Sequence, residues 1–300
     1  MYKKSLIIIL AMTSLVLVNC SKAKTDEEVS SVSDSTALIE SGVTAISGAA
    51  DDQSETSYAV MTPVKNQFDL INQLLLPKCY AASCSRALDS TCSSGIQSTS
   101  FSSCSLGSSR VTVNGNIQLA YSSSACDMSA TGNTVTRTYN YSITGPRGGG
   151  VITTSSNSHS DYENNQIGGG AKITRLAAGY KMEILGKHKV FTLNNKTLFD
   201  ISMHSDSANP LVFSGSLVRN QRVLANGKLI LSHNLAKYST TFTMTNLKWT
   251  SVCCHPIEGQ IAVEYSGSKT GAASVTFTSC GMAQLEKDGQ TEQIELSYCE

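Results

Sequence analysis

Charge is scarce in this chain. Asp, Glu, Lys and Arg make up only 15% of its 300 residues, where about 25% is usual for a soluble globular domain. Bases and acids balance at 23 each, so the formal net charge is zero. No basic field is present to hold phosphates, which leaves nucleic-acid binding without support. Tryptophan occurs once, at Trp249, so the tryptophan platforms of many carbohydrate sites are missing. No segment after the first twenty residues is apolar for the ~20 residues that a spanning helix needs. Catalytic signatures are also wanting. There is no Gly-x-Ser-x-Gly elbow to mark a strained nucleophile. The glycine clusters Gly145–Gly150 and Gly168–Gly170 lack the spacing of a phosphate-binding loop.

Ser, Thr, Asn and Gly fill the space that charge leaves, and from Val111 onward the apolar residues recur with a period of two. Val135, Arg137, Tyr139, Tyr141 and Ile143 alternate with polar residues. So do Phe199, Ile201 and Met203, then Ile261, Val263 and Tyr265, then Val275 and Phe277, then Ile294, Leu296 and Tyr298. Each run reads as a half-buried strand, and Thr, Val, Ile and Tyr suit a pleated surface. Asn114-Gly115, Asn226-Gly227 and Asp288-Gly289 read as hairpin turns. The polar stretch Thr153–Gln166 reads as a long loop or an exposed hairpin. Before the strands, Val64, Phe68, Ile71 and Leu75 recur at helical spacing up to Pro77. This predicts one amphipathic helix over about 63–76. The expected fold is mainly β: an antiparallel meander curled into a sandwich or half-barrel, with that helix before it.

The start of the chain has its own pattern. Lys3 and Lys4 precede an uncharged run from Ser5 to Val18, and Leu17-Val18-Asn19-Cys20 closes it. This is the layout of a secretory signal peptide. A cysteine closing the run resembles the lipobox of bacterial lipoproteins, although Asn19 stands where a smaller residue is usual. The resemblance implies removal of residues 1–19, lipidation of Cys20 (the source of a palmitate-type anchor), and, because Ser21 is not Asp, an outer-membrane address. The alternative is an ordinary cleaved signal. Residues 20–62 then form the lipidated cysteine and a polar tether with a flexible reach of roughly 35 Å. Residues 63–300 form the β-rich body.

Nine cysteines besides Cys20 fit an oxidising compartment. They are Cys79, Cys84, Cys92, Cys104 and Cys126 in one cluster, and Cys253, Cys254, Cys280 and Cys299 in another. All nine are disulfide candidates. Proximity favours Cys92 with Cys104, and Cys280 with Cys253 or Cys254. An odd number leaves one thiol over or pairs it between chains.

Chemistry is harder to find. Cys253-Cys254-His255 has no second ligand pair to complete a metal site, so disulfides explain it better. His159-Ser-Asp161 and His204-Ser-Asp206 would put His and Asp on one face of a strand, and each also reads as a plain polar loop or strand end. No catalytic residue, metal or other cofactor is assigned. The expected role is a non-catalytic lipoprotein that presents a disulfide-stapled β domain for structural or binding work in the cell envelope. Its partners are the membrane, through the anchor, and an envelope protein or an apolar ligand. A periplasmic carrier of an apolar ligand or lipid is the alternative, and a hydrolase is less favoured.

Overall fold

The computed structural model describes residues 92–105, 112–145, 150–215, 221–250 and 253–296. The signal, the tether, the helix expected over 63–76, and Cys20, Cys79, Cys84 and Cys299 lie outside these residues. Of Cys104 and Cys254 only the backbone is described.

Sixteen strands follow one another among the described residues. They are β1 (Ile96–Ser105), β2 (Thr112–Tyr121), β3 (Thr134–Thr144), β4 (Gly150–Ser155), β5 (His159–Ser160), β6 (Gln166–Ile167), β7 (Gly170–Leu176) and β8 (Gly179–Leu193). Then come β9 (Lys196–Ser205), β10 (Leu211–Gly215), β11 (Arg222–His233), β12 (Tyr238–Thr250), β13 (Cys253–Gly267), β14 (Gly271–Ser279), β15 (Met282–Lys287) and β16 (Gln290–Glu295). Fourteen of them form one antiparallel sheet. Among the described residues no helix is long and apolar enough to cross a membrane.

The order is a meander with two interrupted rows. β4 and β7 share a row between β3 and β8, with β4 against His188–Leu193 and β7 against Gly179–Gly186. β9 and β10 likewise share the row between β8 and β11. The fifteen-residue β8 is therefore flanked on each side by two shorter strands.

One face of the sheet is the core, and the alternation predicts it. Val135, Arg137, Tyr139 and Tyr141 are buried along β3, and Ala273, Val275 and Phe277 along β14. Across the ladders, Leu229 meets Phe242, Phe242 meets Val263, and Ile261 meets Val275. Leu229, Phe242, Val263, Ile261 and Val275 are all fully buried. Each such side chain contributes about 1.5–3 kcal/mol by leaving water. A single cluster of apolar contacts joins Leu119 on β2 to Ile294 on β16.

Three expectations need correction. Strands begin before residue 111, with β1 at Ile96, because the Ser/Thr-rich run Ile96–Ser105 has little apolar contrast to betray its period. Asn114-Gly115 and Asn226-Gly227 are not turns but lie inside β2 and β11. A Cβ on Gly115 would stand 2.1 Å from the Asn140 carbonyl oxygen, so the glycine admits a neighbouring backbone. Only Asp288-Gly289 is a hairpin turn, with both residues at positive φ. The third correction concerns Cys92, which pairs with Cys126 and not with Cys104. Cys104 sits in β1 beside Val113, whereas Cys126, in the β2–β3 connection, comes back to the chain just before β1.

Cys253 pairs with Cys280, one of the two partners that proximity favours. Both bridges lie at the same end of the meander, where β1 and β13 begin and where β2 passes to β3 and β14 to β15.

Candidate functional site

Between β4 and β7 the chain leaves its row over residues 156–169 and makes the small hairpin β5–β6. Ser202 and Ser232 face away from the core, since they alternate with Met203 and Leu231, which line it. The hairpin lies on this outer face. Tyr162 N–H donates to Asn234 Oδ1 at 3.0 Å, and Ser232 Oγ donates to Asp161 Oδ2 at 3.3 Å. Ser239 Oγ donates to the Tyr162 hydroxyl at 3.2 Å. Asp161 is only 5% exposed. It also accepts from the backbone N–H groups of Glu163 and Asn165, both at 2.9 Å. A buried carboxylate needs that many donors. The stretch expected to be a long loop or an exposed hairpin is a hairpin, fastened like a clasp to β11, β12 and the turn between them.

A second group of side chains surrounds the clasp. The rings of His159, from the hairpin, and His188, from β8, stack with centroids 4.1 Å apart. His188 Nε2 meets Asp200 Oδ1 at 2.8 Å. Asn234 Nδ2 donates to Asp200 Oδ1 at 2.6 Å and to Ser202 Oγ at 2.9 Å. His159 Nε2 lies 2.8 Å from Ser202 Oγ, and its Nδ1 lies 3.1 Å from the Asn157 carbonyl. A carbonyl only accepts, so Nδ1 carries the proton of the neutral ring. The Ser202 hydroxyl then donates to Nε2. Burial holds the His159 pKa below its ordinary value, and the neighbouring His188 pushes the same way, against the pull of the Asn157 carbonyl and of Asp200 and Asp161.

A serine hydroxyl donating to an imidazole that is steered from behind has the form of an activated nucleophile. In this setting Ser202 is completely buried under the clasp. The arrangement instead holds the hairpin in place through a satisfied polar network. His204 stands nearby with its pKa lowered by burial, against the opposing charges of Asp161 and Asp206. The Nδ1 atom of His204 has no hydrogen-bond partner.

The other residues singled out from the sequence are placed apart. Asp206 caps its own turn, accepting from Ala208 N–H and Asn209 Nδ2. His233 is on the core face, stacked on Tyr238 at 4.2 Å. His255 is buried beside Cys253, whose sulfur is spent in the bridge to Cys280. Among the described residues no three His, Cys, Asp or Glu side chains converge as metal ligands. His188 and Asp200 carry no motif in the sequence, and Ser202 and Asn234 escaped the sequence reading. For Asp200 and Ser202 the one signal was the polar half of the alternation in β9, where they separate Phe199, Ile201 and Met203.

Compared with known proteins, the chain matches no family model, and neither a curated protein nor a solved structure is significantly similar to it.

Proposed function

We propose that the chain is a lipid-anchored lipoprotein of the outer membrane, whose disulfide-stapled β body acts by binding and not by catalysis. The observation that carries the non-catalytic part is the burial of Ser202. The best nucleophile–base geometry among the described residues is sealed under the clasp. The two disulfides among the described residues support export to an oxidising compartment. The lipobox-like run ending at Cys20 supports the anchor. The sheet is read as curled into a half-barrel, since a single apolar cluster runs from β2 to β16 along one face. Globomycin treatment and Cys20→Ala, each followed by membrane fractionation, test the anchor. Retention of a processed, membrane-bound protein after Cys20→Ala would defeat it. A serine-directed phosphonate that labels Ser202 in the folded protein would restore the hydrolase reading.

A second reading, carriage of an apolar ligand, is favoured by one feature of the core face. Ile143, Ile152, Phe191 and Phe199 are cross-strand neighbours on β3, β4, β8 and β9. Phe199 is 38% exposed and Leu193, at the end of β8, 37% exposed. The core face therefore reaches solvent through a row of apolar side chains at the end of the meander away from the disulfides. Native mass spectrometry of the protein from the envelope tests this reading, and absence of any co-purified apolar molecule counts against it.

A further inference from the structure

Along β8, residues 187, 189, 191 and 193 project to one side of the sheet. Two of them are lysines. Lys187 has its ammonium 4.8 Å from the centre of the Tyr139 ring. Lys189 is different. Its cross-strand neighbours are Thr154 on β4 and Ile201 on β9. Thr154 is 2% exposed, and Phe191, two residues along, belongs to the apolar row. Lys189 thus stands on the core side of the sheet, half-buried, with no carboxylate paired to it among the described residues.

A cation in such a place is costly unless an anion meets it. Burial pulls the lysine pKa down, with no opposing charge nearby to raise it. Two further polar atoms on this side also lack partners: Nε2 of His233, which lies across from Ile201, and Oγ1 of the fully buried Thr240. From Lys189 outward the same side carries Ile143, Ile152, Phe191, Leu193, Ile201 and Phe199, with His233 across from Ile201 and Lys196 across from Leu193 at the end of the strand. One end of this strip is the half-buried Lys189, and the other is an apolar rim where Phe199 and Leu193 reach water.

We propose that Lys189 is the counter-ion of a ligand-binding site for a long-chain carboxylate, a fatty-acid anion, whose acyl chain lies along Phe191, Phe199 and Leu193. The charge of Lys189 selects the carboxylate, and the apolar strip that follows it selects the chain. The assignment rests on the ligand-carrying reading of the sheet and names the ligand class for it.

The test is binding of oleate to the whole chain carrying Cys20→Ser, by displacement of a fluorescent fatty acid. Lys189→Met keeps the length of the side chain and removes the charge, and removing an unpaired buried cation leaves the melting temperature unchanged or higher. It weakens oleate roughly 10- to 100-fold, the worth of a charge-assisted contact, and leaves methyl oleate unaffected. Phe199→Ser weakens oleate and methyl oleate alike. Equal oleate affinity in the parent and Lys189→Met proteins overturns the site, as does no oleate binding by the parent. Tight binding of both oleate and methyl oleate that ignores Lys189 preserves an apolar carrier and removes only the carboxylate site. Failure to bind either molecule removes both.

Discussion

At the scale of single residues, the decisive facts concern polar side chains that water does not reach. Ser202 is bonded to His159 and Asn234 without any exposure. Ser202→Ala leaves the Asn234 amide and the His159 ring short of a partner. Unfolding in urea is expected to need about 1–3 kcal/mol less free energy, read as a lower midpoint at unchanged slope. His233 makes a pH-dependent contribution. Desolvation, helped by Lys269, lowers its pKa from 6.5 to about 4. The unfolded chain takes up the proton as pH falls through 6.5, and the folded chain refuses it until about pH 4. Stability is therefore full above pH 6.5 and declines steadily down to about pH 4, by about 3 kcal/mol from this residue. His159 and His204 shift the same way and add to the slope. Urea midpoints between pH 4 and 7.5 should show the decline, and His233→Gln should flatten it. A flat profile in the parent protein would show that His233 is not buried in its neutral form.

Elements tell how far the amino-acid pattern could be followed. The strands were legible wherever apolar and polar residues alternated strongly, as in β3, β9, β13 and β14. β1 was not, since serine and threonine occupy both of its faces. Asn114-Gly115 and Asn226-Gly227 misled because a glycine that makes room for a neighbouring backbone looks the same as one that makes a turn. The clasp was half legible. Its His159-Ser-Asp161 run stood out, but the residues that receive it come from β8, β9, β11 and β12, and no local pattern could join them. Its fastening also predicts behaviour. Asp161→Ala removes the acceptor shared by Ser232, Glu163 and Asn165. The hairpin should then lift from the sheet while the sheet itself persists. Limited proteolysis should cut within 156–169 in the variant and not in the parent, with the sheet's circular dichroism unchanged. Equal resistance of the two proteins would mean that other contacts hold the clasp.

For the whole molecule, the main contrast is between the two ends of the meander. The Cys253–Cys280 bridge closes 27 residues of chain, a loop whose constraint on the unfolded state is worth about 3–4 kcal/mol. Replacing both cysteines with serine should lower stability by about that amount against a total of about 5–15 kcal/mol. Calorimetry under non-reducing conditions measures it. If Cys253→Ser/Cys280→Ser melts with the parent, the two sulfurs are not joined in the protein.

The placement of both bridges among the described residues at one end has a kinetic consequence. A ladder tied at one edge breathes from the other, much as a zip with a fixed stop parts only at its free end. Amide protons of β8, β9, β11 and β12 should exchange fastest beside Leu193, Phe199 and Leu235 and more slowly toward the cross-linked edge. That polarity should fade once both bridges are reduced. The part of the sheet that opens most readily is then the part where the apolar rim meets water, so a guest could enter without disturbing the tied end.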